Sequence, residues 1–299
     1  MNLAEILKEK RPTLSNNSVK TYTSVLKSLH AKVFGSTTPL SLDNFQQTEK
    51  ILDALSDKTP ETRKTTLSAL VVLTNNNKYR QKMMEDIQEH IHNIEEQQKT
   101  QKQIENSISQ DEIKAFLKKL KKKADILFQK STHNNRDYQE IQDYLMLLLM
   151  SGQGGLPPRR SLDCTAFKVK NINKNSDNYM EGQEFVFNTF KTAKSAGQQR
   201  IKVPVKTRNL IKKWTLINPT DYLFFDSQQN PMSSVKITQK FNRLFGGKQI
   251  SVNSLRSSYL SSKFQHSIQL KKDIDTTMEQ MGSSGKVAAS YIKEEPKSS

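Results

Sequence analysis

Two adjacent arginines, Arg159 and Arg160, follow a proline pair in Leu156-Pro157-Pro158-Arg159-Arg160-Ser161-Leu162-Asp163. Lys191 and Lys194 lie in Phe190-Lys191-Thr192-Ala193-Lys194-Ser195-Ala196-Gly197, a polar turn between two alternating segments. Arg256 stands in Val252-Asn253-Ser254-Leu255-Arg256-Ser257-Ser258-Tyr259, and Tyr291 follows Met281-Gly282-Ser283-Ser284. These are the groups a phosphodiester exchange needs. Displacing one phosphate oxygen by another builds negative charge on the non-bridging oxygens, and fixed cations around phosphorus stabilise it. Arginine suits the task because its planar fork donates two parallel hydrogen bonds to phosphate and stays charged at any working pH. A tyrosine oxygen is a nucleophile once the phenol, of ordinary pKa about 10, gives up its proton.

The whole chain carries the same sign of charge. A formal charge of +17 and a pI near 9.7 on 299 residues imply a polyanionic partner, because each cation laid on a phosphate releases a condensed counterion. Nucleic acid fits better than a membrane surface: the charged start Met1-Asn2-Leu3-Ala4-Glu5 offers neither a basic amphipathic anchor nor a lipidation signal. The longest apolar run, Tyr144 to Met150, is too short to span a bilayer, and no signal peptide is read. The expectation is therefore a soluble, intracellular chain without membrane association. The single Cys164 excludes an intrachain disulfide framework, and the five scattered histidines give no zinc-ligand spacing. His90 and His92, two apart on a helix, point to different faces.

The elements that must position these groups are mostly helical. Val19, Tyr22, Val25, Leu26 and Leu29 recur at helical spacing behind Ser15 as N-cap. A second helix from Ser41 carries Leu42, Phe45, Ile51 and Leu55, and a third opens at Thr59-Pro60-Glu61 and buries Leu67, Leu70, Val71 and Leu73. Residues 1–85 read as one helical domain. Residues 86–108, with the polar run Glu95 to Gln103, read as a solvated helix or linker. Ser109-Gln110-Asp111-Glu112 is a capping box that opens a second domain over 109–299. The lysines of Leu117 to Lys123 read equally as a solvated face or a phosphate track. An apolar helix from Tyr138 to Met150 ends at Gly152-Gln153-Gly154-Gly155. Phe185-Val186-Phe187 and Ile201-Lys202-Val203 form strands of a small antiparallel sheet, and Tyr222 starts another strand. Further helices are expected over 206–217, 234–245, 253–264, 270–281 and 286–292, with Leu255, Tyr259 and Leu260 packing inward. The fold class is mainly α with a small antiparallel β-sheet.

The islands resemble the tyrosine recombinase, or phage-integrase, family, and most of all its versions in eukaryotic DNA viruses and mobile elements. The resemblance implies a helical core-binding domain and a catalytic domain that close on duplex DNA as a clamp. It further implies strand cutting and rejoining through a covalent 3′-phosphotyrosine, with no cofactor or metal, by a homo-oligomer such as a tetramer on paired sites. Residue by residue, the first family arginine falls on Arg160, because a carboxylate, Asp163, stands three residues on; Arg159 is the alternate, one residue out of register. Lys191 matches the lysine that protonates the leaving 5′-oxygen, with Lys194 as the alternate. Arg256 matches the second arginine and Tyr291 the nucleophile. Where the family commonly has histidines, this chain has Asn253, Ser257 and Ser283; Asn253 and Ser283 can hydrogen-bond a phosphate oxygen but move protons less well than histidine. That departure admits a second reading, a recombinase-derived DNA-binding or architectural protein that lost the reaction. A nucleus or viral replication compartment is the setting the resemblance suggests.

Overall fold

Local capping signals account for where most helices begin in the computed structural model of the chain, which describes residues 1–95, 101–165 and 167–291. Contacts divide the chain into two compact units, Met1–Thr100 and Gln101–Ser299.

The first unit contains α1 (Leu3–Lys10), α2 (Asn16–Phe34), α3 (Leu42–Gln46), α4 (Thr48–Ala54), α5 (Pro60–Thr74) and α6 (Asn77–Glu95). Ser15 caps α2 and Thr59 caps α5, each side chain accepting from the backbone N–H three residues on, and Pro60 occupies the first turn of α5. Leu7, Leu26, Phe45, Ile51, Leu67, Leu70 and Leu73 are fully or almost fully buried between these helices. The single helix expected from Ser41 is two, broken at Gln47 (φ −74°, ψ 69°). Phe45 and Ile51 would lie ~120° apart on one continuous helix, and the break lets both reach the core. The helix α1 was not legible as such, yet it buries Leu3 and Leu7. The start of the segment read as a solvated helix or linker, residues 86–95, belongs to α6. Within it Asp86 is fully buried and accepts from Arg63 Nε at 2.9 Å and Nη2 at 2.7 Å. Most of the expected polar run Glu95 to Gln103 lies outside the described residues.

The second unit runs α7 (Gln101–Glu105), α8 (Gln110–Leu127), α9 (Asn135–Met150), α10 (Ser161–Thr165), β1 (Tyr179–Glu181), β2 (Glu184–Phe187), α11 (Ala193–Ala196), β3 (Gln199–Lys202), α12 (Val205–Ile217), α13 (Ser234–Leu244), α14 (Val252–Lys263) and α15 (Gln265–Gln280). A 3-10 turn (Gly285–Val287) and α16 (Ala288–Tyr291) follow. Capping boxes open α8 at Ser109/Glu112 and α9 at Asn134/Asp137. The second half of α9 is almost wholly buried, which makes it the central helix of this unit. Trp214 of α12 stacks on Phe225, with Tyr138 of α9 edge-on to both. The sheet is antiparallel in the order β1-β2-β3, with Phe185 opposite Ile201 and Tyr179 opposite Val186. The first of these strands is additional to the two expected, while Tyr222 forms only an isolated bridge to Lys168. The fold is thus mainly helical with one small antiparallel sheet, and no described helix is long and apolar enough to cross a membrane.

Candidate active site

The turn that ends α9 decides how the first arginine pair is presented. Gly152 and Gly155 adopt φ of +86° and +76°, a region that side chains strain to enter. The reversed chain is fastened by Thr207 Oγ1, which donates to Gly154 O at 2.7 Å. Leu156 and Pro158 are then buried, and the two arginines part. Arg159 turns inward: Nε donates to Asp163 Oδ2 at 2.6 Å, and Nη1 donates to Gln199 Oε1 at 2.7 Å. Its guanidinium also lies 4.1 Å from the ring centroid of Phe187 and 5.1 Å from that of Phe190. Arg160 turns outward and is exposed; its backbone carbonyl accepts from Asp163 N at 3.1 Å, while its side chain makes no hydrogen bond or ion pair with the described residues. The carboxylate whose spacing marked Arg160 therefore serves its neighbour, and Arg160 keeps its donors open to a ligand.

Arg256 reaches the same place from α14. A capping box between Ser251 and Ser254 starts this helix, and Val252 and Leu255 anchor it in the core. Arg256 Nε donates to Pro158 O at 3.2 Å, and Nη1 donates to Asn253 Oδ1 at 3.3 Å, one helical turn back. The bond to Pro158 spans 98 residues and ties the second arginine to the backbone just before the first pair. Tyr259 is half-buried rather than core, its ring against Gly152. Leu260, expected inward, is 49% exposed, because Val252, Leu255 and Tyr259 share one helical face and the next residue is rotated ~100° from it. Gln110 of α8 joins the assembly, donating to Ser258 Oγ at 3.0 Å and accepting from Gln153 Nε2 at 2.6 Å. Ser257 is exposed.

Lys191 and Lys194 both lie in the 188–198 loop between β2 and β3, the latter within α11. Both are exposed and unpaired among the described residues. The loop itself is fastened by Asn178, which is fully buried. Its Nδ2 donates to Asp163 O at 2.8 Å and Thr189 O at 2.7 Å, while its Oδ1 accepts from the backbone N–H of Asn188 and of Thr189. That uses the full capacity of a side-chain amide. Neither Asn178 nor Gln199 was marked by any sequence signal, since an amide in a polar loop is ordinary until its partners are known. Cys164, beside this cluster, is no nucleophile: burial and the neighbouring Asp163 push its thiol up to about 12.

Along α15 only Met278 is buried. The helix ends in a paired reversal, Gly282 N donating to Glu279 O and Ser283 N to Met278 O, with Gly282 at φ +72°. Ser283 is half-buried. Tyr291 closes α16, and its side chain lies outside the described residues, as does Ile292 of the helix expected there. The structure thus gathers Arg159, Arg160 and Arg256, with the Lys191 loop tied to Arg159.

No family model matches this sequence, and no curated protein matches it. Among solved structures, the crystal structure of a lambda integrase dimer bound to a COC' core site is similar to this chain with a TM-score of 0.44 and 11% identity, covering 89% of this chain and 71% of that one. Likeness at that level is too low to bear on function.

Proposed function

We propose that this protein is a tyrosine-recombinase-like enzyme that cuts and rejoins double-stranded DNA through a covalent 3′-phosphotyrosine. The observation that carries the reading is the bond from Arg256 to Pro158 O, which brings to one place two arginine islands that the sequence separates by almost a hundred residues. Arg160 and Arg256 would clamp the non-bridging oxygens of the scissile phosphate. The Tyr291 oxygen attacks phosphorus, the bond to the 5′-oxygen breaks, and Lys191 gives that oxygen a proton. The phenol proton passes to a neighbouring group, with the arginines stabilising the phenolate. Because the phosphotyrosine keeps the bond energy, rejoining reverses the same steps without a cofactor. The chain's charge of +17 supports a duplex partner, and strand exchange would require several protomers on paired sites, a tetramer in the simplest arrangement.

The second reading, a DNA-binding protein that kept the scaffold and lost the reaction, is favoured by Asn253, Ser257 and Ser283 at the usual histidine positions. One experiment separates the two. The protein is incubated with nicked duplexes carrying the DNA sequences that flank its own gene, and a denaturation-resistant adduct is sought. The first reading expects an adduct that disappears in Tyr291→Phe. Salt-sensitive binding with no adduct on any of these duplexes would leave the binding reading standing.

A further inference from the structure

The most heavily engaged cation in the cluster is not one the strand-cleavage chemistry uses. Arg159 lies with 20% of its side chain exposed and touches three stretches of chain at once: Asp163 of α10, Gln199 at the start of β3, and the rings of Phe187 and Phe190 on either side of the β2 exit. Phe187 and Gln199 are paired across the hairpin, and Phe190 immediately precedes Lys191. Asn178 ties the same two segments a second time, through Asp163 O and the backbone of Asn188 and Thr189. Lys191 has no tie of its own among the described residues, so where its ammonium sits relative to Arg160 is set by how firmly this loop is held.

We propose that Arg159 is a positioning residue: it locks the β2–β3 loop carrying Lys191 against the segment carrying Arg160. The inference rests on the cleavage reading above. The guanidinium suits this role for a geometric reason. Its plane lies over aromatic rings while its edge donates in two directions, which an ammonium cannot do. The bond to Asp163, four residues on, holds Arg159 from its own segment, while Gln199 and the two rings hold it from the hairpin side. Arg160, one residue later in the chain, is left free to meet phosphate.

The test compares wild type with Arg159→Lys and Gln199→Leu. The second variant removes only the hairpin side of the clamp and leaves the Arg159–Asp163 pair, so it serves if the first does not fold. Hydrogen exchange is measured first; backbone amides of residues 188–198 should exchange faster in both variants while those of α9 keep wild-type protection. Adduct formation is then measured on nicked duplexes whose scissile phosphate has either an ordinary 5′-oxygen or a bridging 5′-sulfur. A thiol, with an ordinary pKa of about 8.5, leaves without help from a general acid. On the oxygen substrate both variants should slow on the order of 10- to 100-fold, and on the sulfur substrate they should come within about threefold of wild type, as should Lys191→Ala. Equal losses on both substrates overturn the proposal, because Arg159 would then act at the phosphate itself. Unchanged exchange in the loop overturns it too. A wild type that forms no adduct on either substrate, with the loop exchange altered in both variants, instead overturns the cleavage reading and leaves Arg159 as a loop anchor without a catalytic consequence.

Discussion

Replacing Gly152 with alanine tests how closely the turn after α9 is fitted to the helix that carries Arg256. Gly152 has φ +86°, and an added Cβ would lie 2.2 Å from Tyr259 Cδ2 and 2.6 Å from Cε2. Two costs follow. An L-residue in the left-handed region costs about 1–2 kcal/mol. Restoring an ordinary carbon separation moves the ring by roughly 1.5 Å, and overpacking of this kind costs about 1–3 kcal/mol. Tyr259 is half-buried, so its ring has solvent to move into, and the two costs sum to about 2–5 kcal/mol. The assay is a urea titration followed by tryptophan fluorescence. Trp214 is the chain's one tryptophan, fully buried in the second unit with its indole N–H donating to Leu223 O at 2.9 Å, so the signal reports that unit. Adding Tyr259→Ala removes the clash and keeps the backbone strain, which predicts a coupling of about 1–3 kcal/mol between the two substitutions. Additivity within about 0.5 kcal/mol would refute a close fit between Gly152 and the Tyr259 ring. Because Tyr259 shares α14 with Arg256, the single variant should also weaken DNA binding beyond what its lost stability explains.

Other perturbations probe separate parts of the fold. Asp86→Ala should leave Arg63 nearly buried without its carboxylate, at a cost of about 3–5 kcal/mol to the first unit; hydrogen exchange in α5 and α6 that stays at wild-type protection contradicts this. Ser109→Ala removes the N-cap of α8 and should lower the stability of the second unit by about 1 kcal/mol in the same fluorescence titration. The same capping box should be pH-sensitive. The backbone N–H and hydroxyl of Ser109 hold the Glu112 carboxyl below its ordinary 4.5, so its contribution is fully present above that value and is lost as pH falls through the lowered one. A wild-type-minus-Ser109→Ala difference that does not shrink on acidification below 4.5 contradicts that account. Finally, Lys191→Ala should slow adduct formation about 10²-fold or more while leaving DNA affinity near wild type, and Lys194→Ala should leave the rate unchanged; the reverse result would move the general acid to Lys194.

The sequence by itself determined the elements whose signals are local. Ser15, Thr59 and Ser109 cap helices because a cap is a bond between a residue and the backbone three positions on, and the apolar spacing of α9 marks a buried helix wherever it lies. The order of the cations, Arg159-Arg160, Lys191, Arg256, is likewise written in the chain, as is its excess positive charge. What tertiary structure alone decided is which member of each set is engaged. After a proline pair there is no periodicity to say which arginine turns inward, and Arg159 does so because Gln199, 40 residues away, and two phenylalanine rings wait there. The break at Gln47, the strand β1, the exposure of Leu260 and the role of Asn178 have the same origin. Each depends on a partner distant in sequence, and a residue's own neighbours carry no record of it.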